Sequence, residues 1–128
     1  MRLDIVTPER QLVSTEITQV QIPGMEGDLT VMPNHAPFLT TLRPGIVTVH
    51  GQDGVKSYVV TGGFAEVSPE ATTILAEQGV PREDASREMI EGVLQEANAA
   101  LEASSPEARA AAQQRVNDVN DLLIRHGI

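Results

Sequence analysis

The pattern of apolar and polar residues changes character once along this chain, near Gly79. Before that point, short runs of alternating apolar and polar residues are separated by turn-forming residues; the first two runs are Arg2–Val6 and Gln11–Ile22. Alternation with a period of two is typical of strands that bury one face. Counted in this way, residues 1–79 predict eight or nine short strands, at spacings typical of a sandwich or a barrel.

Two stiff turns organise residues 27–49, the stretch on which the strand pattern depends. The first is residues 33–37, Pro-Asn-His-Ala-Pro, where each proline fixes its own φ and pushes the preceding residue toward extended geometry. The second is residues 43–45, Arg-Pro-Gly, with proline and glycine at the positions that a type II turn requires. The pattern therefore predicts three successive strands: Leu29–Met32, Phe38–Leu42 and Ile46–Val49.

Two further features refine the strand pattern. The alternation within Gln11–Ile22 changes phase between Ile17 and Val20, which predicts a β-bulge or break near Thr18. An Asp-Gly pair within residues 50–54 lies between two apolar runs and predicts a β-hairpin. The strands then continue to Ala76, where the series ends.

After Gly79 the apolar residues recur at intervals of three and four, which is the period of an amphipathic helix. Val80 and Pro81 are expected to form a linker, and Asp84 or Ser86 is expected to cap a first helix. The apolar stripe of this helix comprises Met89, Ile90, Val93, Leu94, Ala97, Ala100 and Leu101.

A second helix is predicted after a short interruption at residues 104–106. Ser105 is its expected cap and Pro106 its first helical residue, a position that tolerates proline because no backbone donor is needed there. Gly127 is expected to end this helix, and its apolar face comprises Ala108, Ala112, Val116, Val119 and Leu123. Two stripes joined by so short a loop predict an antiparallel helical hairpin.

The fold class predicted from these patterns is α+β: an N-terminal β-sandwich over residues 1–79, followed by a C-terminal antiparallel two-helix hairpin over residues 80–128. Alanine makes up much of both helical stripes, and an alanine methyl buries far less apolar area than a leucine side chain. We therefore expect the hairpin to be the less stable part of the chain and to detach or open at modest cost.

Composition narrows the possible partners and sites. The 128 residues carry a formal net charge of −9, with one lysine, Lys56, and three aromatic residues, so neither nucleic acid nor an anionic lipid surface is expected as a direct partner. The absence of cysteine excludes disulfides and thiolate metal ligands. No apolar run reaches the ~18 residues that cross a bilayer, and we expect a soluble, cytoplasmic protein with a core of Val, Ile, Leu and Ala.

His35 is the most suggestive residue for chemistry, yet its surroundings in the sequence favour a structural role. Apart from Asp28 and Asp53, at loose loop proximity, no carboxylate lies at metal-ligand spacing from a histidine, and no Gly-x-Ser-x-Gly motif supplies a nucleophile. We interpret His35 as a residue that orders a turn or an interface, and His50 and His126 as ordinary surface residues. The residues therefore predict no catalytic group, no metal site and no cofactor.

Two other classes of protein stay open at this stage. One is a small carbohydrate- or ligand-binding β-sandwich with a helical interaction tail, which requires a pocket and a monomeric state. The other is a hydrolase that uses His35, which requires a carboxylate or hydroxyl within ~3 Å of the imidazole ring. A pocket in the sandwich would favour the first class, and the contacts of His35 decide the second.

A series of short motifs, in order and at suitable spacing, resembles one known family. The motifs are Glu-Gly-Asp-Leu at 26–29, Pro-Asn-His-Ala-Pro at 33–37, Leu-Arg-Pro-Gly at 42–45, Gly-Gly-Phe-Ala-Glu-Val at 62–67 and Leu-Ala-Glu at 75–77. Together with the two-helix tail, they make the whole chain resemble the epsilon subunits of bacterial F-type ATP synthases, the counterparts of the mitochondrial delta subunit.

The resemblance implies a non-catalytic rotor subunit in the central stalk of a proton-translocating ATP synthase. In that family a ten-stranded sandwich binds the gamma subunit with one surface and the membrane-embedded c-ring with one end, and couples proton flow to ATP synthesis elsewhere. By the same resemblance, Glu26, Asp28 and His35 are expected near the c-ring, where acidic groups can pair with basic loop residues. The protein is then expected at the cytoplasmic side of the bacterial inner membrane, as a peripheral subunit.

The helical tail departs from the family pattern. Some members bind ATP through a motif at the start of the first helix, but its carboxylate and guanidinium are missing here; the matching positions are Ala85, Ser86, Met89 and Ile90. Some members also inhibit ATP hydrolysis by extending a basic second helix into the catalytic head of alpha and beta subunits. From Ser86 onward this chain has four arginines and seven carboxylates. The resemblance therefore does not carry ATP binding over, and we expect weak inhibition at most.

Overall fold

A computed structural model describes residues 1–125, and the chain divides into two compact units, residues 1–83 and residues 84 onward. The first unit contains β1 (Arg2–Val6), β2 (Gln11–Gly24), β3 (Gly27–Val31), β4 (Phe38–Leu42), β5 (Gly45–Gly51), β6 (Gly54–Val60), β7 (Gly63–Val67), β8 (Ala71–Ala76) and β9 (Gly79–Pro81). A 3-10 helix follows at Arg82–Asp84, and the second unit contains α1 (Arg87–Glu102) and α2 (Arg109–Arg125).

The strands form one continuous hydrogen-bonded sheet that closes into a sandwich. Its order is β1-β8-β7-β4-β2-β5-β6-β9, with β3 attached to β2 and a further pairing between β1 and β2. β1 runs parallel to β8, and the other pairs are antiparallel. β2 joins the two layers, because its first half pairs with β1 and its second half pairs with β3 and β5.

The 14-residue strand β2 contains the predicted irregularity. Its register shifts between Ile17 and Gln19, which confirms the bulge expected near Thr18. The Thr18 hydroxyl donates a hydrogen bond to the carbonyl oxygen of His50 at 2.9 Å. A bulge bends a strand and increases its twist, which allows β2 to serve both layers. Because β2 passes this point without a break, the described residues contain nine strands where the resemblance implied ten.

The core between the layers is aliphatic, as the composition predicted. Leu3 and Ile5 alternate with outward residues along β1, and the same alternation recurs in β7 and β8. Tyr58 is the aromatic residue that packs partly against this core. The buried members are Leu3, Ile5, Val13, Ile17, Val20, Ile22, Val31, Leu42, Val47, Val49, Val60, Ala65, Val67, Ile74 and Ala76.

The hairpin predicted at residues 50–54 is confirmed. Gly51 pairs with Gly54 at the end of β5 and β6, and a two-residue loop joins them. Gly54 has φ +102°, in the left-handed region that glycine adopts without steric penalty.

The type II turn predicted at residues 43–45 is wrong. Gly45 already belongs to β5 and is not among the residues with positive φ in the described part of the chain. Its lack of a side chain matters for packing instead, because a Cβ at Gly45 would lie 2.8 Å from the Cβ of Pro23.

The linker expected at Val80 and Pro81 is also wrong. These residues form the short strand β9, which pairs with β6 through Tyr58 and Val59. The first unit consequently extends to Glu83, four residues beyond the predicted boundary. Proline is compatible with this strand because β9 lies at the edge of the sheet, where a missing N–H leaves no ladder bond broken.

The caps of the two helices agree with the sequence in different degrees. Ser86 is the N-cap of α1, and its hydroxyl accepts a hydrogen bond from the Met89 N–H at 3.1 Å, as predicted. The Ser105 hydroxyl accepts from the Ala108 N–H at 3.3 Å, but α2 itself begins at Arg109. A tight turn over residues 106–108 therefore precedes the regular helix.

α1 and α2 pack against each other as the predicted helical hairpin. Their buried apolar side chains are Ile90, Val93, Ala97, Val116, Val119, Leu122 and Leu123. Ala100 and Ala108, which the predicted stripes included, are exposed, so the loop end of the hairpin buries little. Asp118 is buried instead and accepts a hydrogen bond from the Gln114 side-chain amide at 3.0 Å.

Two predictions for the end of α2 fall outside the described residues: the helix end at Gly127 and the surface position of His126. Within residues 1–125, no helix combines the length and the apolar character needed to cross a bilayer.

Candidate functional site

The turns of the sandwich gather at its two ends. Near one end, a row of paired residues crosses β2, β4, β7 and β8; its members are Gly24, Leu42, Gly63 and Ala76. The hairpin of residues 24–28 and the side chain of Arg43 lie here, and we call this the hairpin end. Residues 32–37 lie at the opposite end of β3 and β4, and we call that the corner end.

Arg43 holds an acidic residue in place at the hairpin end. Its Nη2 donates to Oδ1 of Asp28 at 2.6 Å, and its Nε donates to the Gly24 carbonyl at 2.7 Å. The Arg43 side chain is 26% exposed, whereas that of Asp28 is 83% exposed. Glu26 lies exposed at the tip, and its side chain makes no hydrogen bond or ion pair within residues 1–125. The hairpin end thus presents one carboxylate held by arginine and one without an intramolecular partner in that range.

The corner end is ordered by main-chain contacts. Asn34 has φ +68°, and its N–H donates to the Pro69 carbonyl at 2.9 Å, which ties the corner to the turn between β7 and β8. The Nδ1 atom of His35 lies 2.7 Å from the carbonyl oxygen of Ala36, and its ring packs edge-on to Phe38 with ring centres 6.5 Å apart. Among residues 1–125 the hydrogen-bond partner of the His35 ring is a main-chain carbonyl, which favours the ordering role and gives the hydrolase hypothesis no carboxylate or hydroxyl.

The structure brings Glu26 and Asp28 together but places His35 elsewhere. β3 covers about 10 Å between Asp28 and Val31, and His35 lies beyond Val31. The expectation of one shared location followed from the family resemblance, which implies a place near the c-ring for both motifs; Asp28 and His35 are seven positions apart in the sequence. A short strand crosses the sandwich within that distance, so neighbours in sequence reach opposite ends.

An apolar surface that the sequence analysis missed occupies part of the outer side of β1, β8, β7 and β4, where Asp4 and Glu66 also face outward. Phe64 pairs with Leu75 and with Thr41, and Leu75 pairs with Val6, so these residues form a row across the strands. Phe64 and Leu75 are 53% and 52% exposed, and Leu39, on the same side of β4 as Thr41, is 68% exposed. We call Val6, Leu39, Phe64 and Leu75 the outer apolar surface.

Part of this surface is a shallow groove of about 320 Å³ with nearly all-apolar walls; its lining includes Val6, Pro8, Phe64, Leu75 and Ala76. In β8, Ile74 points into the core while Leu75 points outward. Apolar residues on both sides of one strand are the sequence signal that could have revealed this surface. Contiguous exposed apolar side chains of this kind mark interaction sites.

A second cleft, of about 280 Å³, lies beside the hairpin between β5 and β6. Its lining combines Lys56 and Tyr58 with two carboxylates, Glu16 and Asp53. Burial raises the pKa of the Tyr58 hydroxyl above its usual value of 10.0, and the Glu83 carboxylate raises it further. A cleft of mixed charge, just below the usual size of ligand pockets, gives little support to the ligand-binding class.

The positions that match the family's nucleotide motif serve other purposes here. The Ser86 hydroxyl caps α1 through the Met89 N–H, Ile90 is fully buried, and Ala85 has no polar side chain. Within the described part of the chain, no group of three His, Asp or Glu side chains is placed to hold a metal ion.

A β-sandwich with an acidic hairpin end, an exposed apolar surface and a helical tail has the features of a protein that docks to other proteins. Comparison with known proteins identifies the family of this chain. Residues 1–82 match the family model described as ATP synthase, Delta/Epsilon chain, beta-sandwich domain. The chain belongs to this family, as a non-catalytic member, which confirms the resemblance read from the motifs and the predicted fold class.

Its relatives match over nearly the whole chain. The ATP synthase epsilon chain of Jannaschia sp. is 49% identical over 123 residues, which cover 96% of this chain and 93% of the relative. ATP synthase epsilon chain 1 of Cereibacter sphaeroides is 44% identical over 127 residues, which cover 99% and 96%. A chain in the cryo-EM structure of Euglena gracilis mitochondrial ATP synthase, OSCP/F1/c-ring, is 25% identical with a TM-score of 0.71, over 96% of this chain and 79% of that chain.

Proposed function

We propose that this protein is a rotor subunit in the central stalk of a bacterial F-type ATP synthase, where it links the gamma subunit to the c-ring and couples proton flow to ATP synthesis. It acts as a peripheral subunit at the cytoplasmic side of the inner membrane. The observation that carries the proposal is the outer apolar surface, which gives the sandwich a docking face. Membership in the delta/epsilon family supports it, as does the similar chain in a complex that contains F1 and the c-ring.

The outer apolar surface suits a permanent protein partner. Phe64 and Leu75 sit on strands whose other faces form the core, so the surface is held rigid before any partner binds. Little ordering entropy then has to be lost on docking, and burial of an aromatic side chain supplies much of the binding energy. We assign the gamma subunit to this surface.

Phe64→Glu tests this assignment. A charge at the centre of an apolar contact is expected to weaken binding to gamma by about 2–4 kcal/mol, the range of interface hot spots. Val55→Glu is the matched control, because Val55 is 61% exposed but lies on β6 beside the other hairpin. Binding can be measured by co-purification and titration with gamma; equal losses in both variants would contradict the assignment.

We assign the hairpin end to the c-ring. Glu26 and Asp28 place two carboxylates there, and polar loops with basic residues are the complementary surface. We leave His35 out of this proposed contact, because it lies at the corner end. The proposal therefore keeps Glu26 and Asp28 of the three residues expected from the sequence.

Asp28→Lys is expected to lower ATP-driven proton pumping in the assembled synthase while ATP hydrolysis continues. The variant reverses the charge at the hairpin end and opposes Arg43. Glu70→Lys is the control, because Glu70 is an exposed carboxylate in the turn at the corner end. A pumping defect in His35→Ala and none in Asp28→Lys would place the c-ring at the corner end instead.

We propose that the helical tail inhibits ATP hydrolysis weakly at most. Its excess of carboxylates over arginines opposes insertion beside acidic segments of the catalytic head. Deletion of residues 86–128 is therefore expected to leave ATP hydrolysis by the complex close to that of the full-length protein. A large rise in hydrolysis on deletion would contradict the proposal.

A further inference from the structure

The tip of the hairpin that carries Glu26 and Asp28 lies beyond the pairing of β2 with β5, which ends at Gln21. Within the described residues, β3 pairs with β2 alone, and β4 meets β2 through one residue pair, Gly24 with Leu42. Ile22 and Val31 hold the base of the hairpin in the core, but a two-stranded ribbon beyond that base is marginally stable in water without further contacts. Contacts from outside the ladder therefore have to fix its tip.

One such contact is the bond from the Met25 N–H to the Thr41 carbonyl at 3.0 Å, and Arg43 makes three more from the end of β4. Its backbone N–H donates to the Pro23 carbonyl at 2.9 Å, and its Nε donates to the Gly24 carbonyl at 2.7 Å. Its Nη2 then reaches across to Oδ1 of Asp28 at 2.6 Å. Residue 43 thus bonds to both strands of the hairpin, on either side of the tip.

The chemistry of arginine suits this position. A planar guanidinium presents several donors in a fixed arrangement, whereas a lysine ammonium offers a single point of charge on a flexible stem. The Arg43 side chain is 26% exposed but that of Asp28 is 83% exposed, so solvent screens the charge attraction and the fixed geometry of the hydrogen bonds carries the restraint. The adjacent Pro44 is buried and limits the backbone freedom of this segment.

We propose that Arg43 is a positioning residue that locks the hairpin end, and that the two carboxylates there have different roles. Asp28 anchors the hairpin, because Arg43 already engages its Oδ1. Glu26, exposed at the tip and without an intramolecular partner in residues 1–125, is the charge left for a cation on the partner surface. The role of Glu26 rests on the proposed c-ring contact, whereas the role of Arg43 does not.

Amide hydrogen exchange on the full chain tests the lock by itself. Arg43→Met is expected to speed exchange at Met25 and in β3 by at least tenfold, with β7 and β8 unchanged. Arg10→Met is the matched control, because Arg10 is an exposed arginine in the turn between β1 and β2, at the same end of the sandwich. Equal exchange in both variants, or a rise spread over the whole sandwich, would overturn the role of Arg43.

Arg43→Lys provides the conservative variant. It retains the charge for Asp28 but loses the Nε bond to Gly24, so its exchange in β3 is expected to fall between those of the parent and Arg43→Met. The same comparison replaces the first test if Arg43→Met does not fold. Lysine exchange identical to that of the parent would show that the fixed geometry of arginine is unnecessary and would overturn this part of the proposal.

Proton pumping by the assembled synthase separates the two carboxylates. Glu26→Gln is expected to lower pumping, whereas Asp28→Asn should retain most of it, because the asparagine oxygen still accepts a bond from Arg43. Equal losses in both variants would overturn the division of roles. If neither variant changes pumping while Arg43→Met still loosens β3, the lock is supported, and both the c-ring contact and the role of Glu26 are overturned.

Discussion

The sandwich and the helical hairpin are each stabilised internally, by different kinds of contact. In the sandwich, strands far apart in sequence pair directly, as β1 does with β8, where Arg2 lies beside Ala71. In the hairpin, α1 and α2 are neighbours in sequence and face each other across a short loop. In the sandwich, large side chains are fully buried at many positions, such as Leu3 and Ile74. In the described part of the helices, the large side chains that are fully buried include Ile90 and Leu122.

This difference fits the functions proposed for the two units: docking and coupling for the sandwich, and weak inhibition at most for the helical tail. A docking surface and a contact under torque need fixed geometry, which long-range strand pairing provides. A tail whose loop end exposes alanine can open locally without disturbing strands that are paired elsewhere. We therefore expect the helical hairpin to exchange its amide hydrogens faster than the sandwich core. Uniform protection across both units would contradict this expectation.

The largest expected effect is at Gly63, in the sandwich. Its φ is +136°, and a Cβ there would lie 2.0 Å from the carbonyl oxygen of Leu75, so Gly63→Ala forces β7 and β8 apart. Backbone strain and overpacking together are expected to destabilise the sandwich by about 4 kcal/mol. Gly27→Ala is the control, because Gly27 has φ +140° but no atom within 4 Å of the position that a Cβ would occupy. Urea unfolding of both variants separates clash from strain, and similar losses would exclude the clash.

A matched pair of isoleucines compares the two units directly. Ile74 in β8 and Ile90 in α1 are both fully buried. Ile74→Ala is expected to cost about 4 kcal/mol and Ile90→Ala about 2 kcal/mol, because a helix pair can close around a small cavity more easily than a paired strand can. Hydrogen exchange resolves which unit each variant affects. A larger loss for Ile90→Ala would reverse the proposed order of stability.

The sequence allowed the local elements to be predicted wherever one residue type dictates the backbone. Ser86 could be predicted as a helix cap from its hydroxyl and the apolar stripe that follows it. The bulge at Thr18 could be predicted from a change of phase in the apolar–polar alternation. Gly45 was misjudged because glycine serves two purposes, a positive φ or close packing, and only the position of Pro23 decides between them. A three-residue edge strand such as β9 has no period of its own, so the sequence pattern around Val80 predicts a linker instead.

The candidate site was harder to predict from the sequence because it depends on contacts between strands. Glu26 and Asp28 were found through a motif, but Arg43 lies 15 positions after Asp28, and its role appears only when β4 returns to the hairpin. The outer apolar surface is likewise assembled from separate strands. Phe64 and Leu75 become one surface only through the register of β7 and β8.

A stabilising change in the hairpin is expected to narrow the difference between the two units. Gly92 lies within α1, and apart from its chain neighbours and the backbone of the helix itself, no described atom lies within 4 Å of the position that a Cβ would occupy. Gly92→Ala is therefore expected to stabilise α1 by about 1 kcal/mol, through better helix propensity and a less flexible unfolded chain. Slower exchange in α1, with the sandwich unchanged, is the expected result. No change in α1 exchange would mean that helix propensity does not limit the stability of the hairpin.

The smallest expected effect is a pH dependence of the stability of the sandwich. Burial raises the pKa of Tyr58 in the folded protein above the 10.0 of an unfolded chain, with a further contribution from Glu83. The folded state therefore binds this proton more tightly than the unfolded state, and the resulting stability is present in full below pH 10 and lost as the pH rises through the folded pKa. Tyr58→Phe removes the titrating group, so the stability of this variant relative to the parent is expected to increase from about pH 9 to about pH 11. Urea unfolding across that range measures the difference. Parallel pH profiles for the two proteins would show that the environment of Tyr58 does not change on folding.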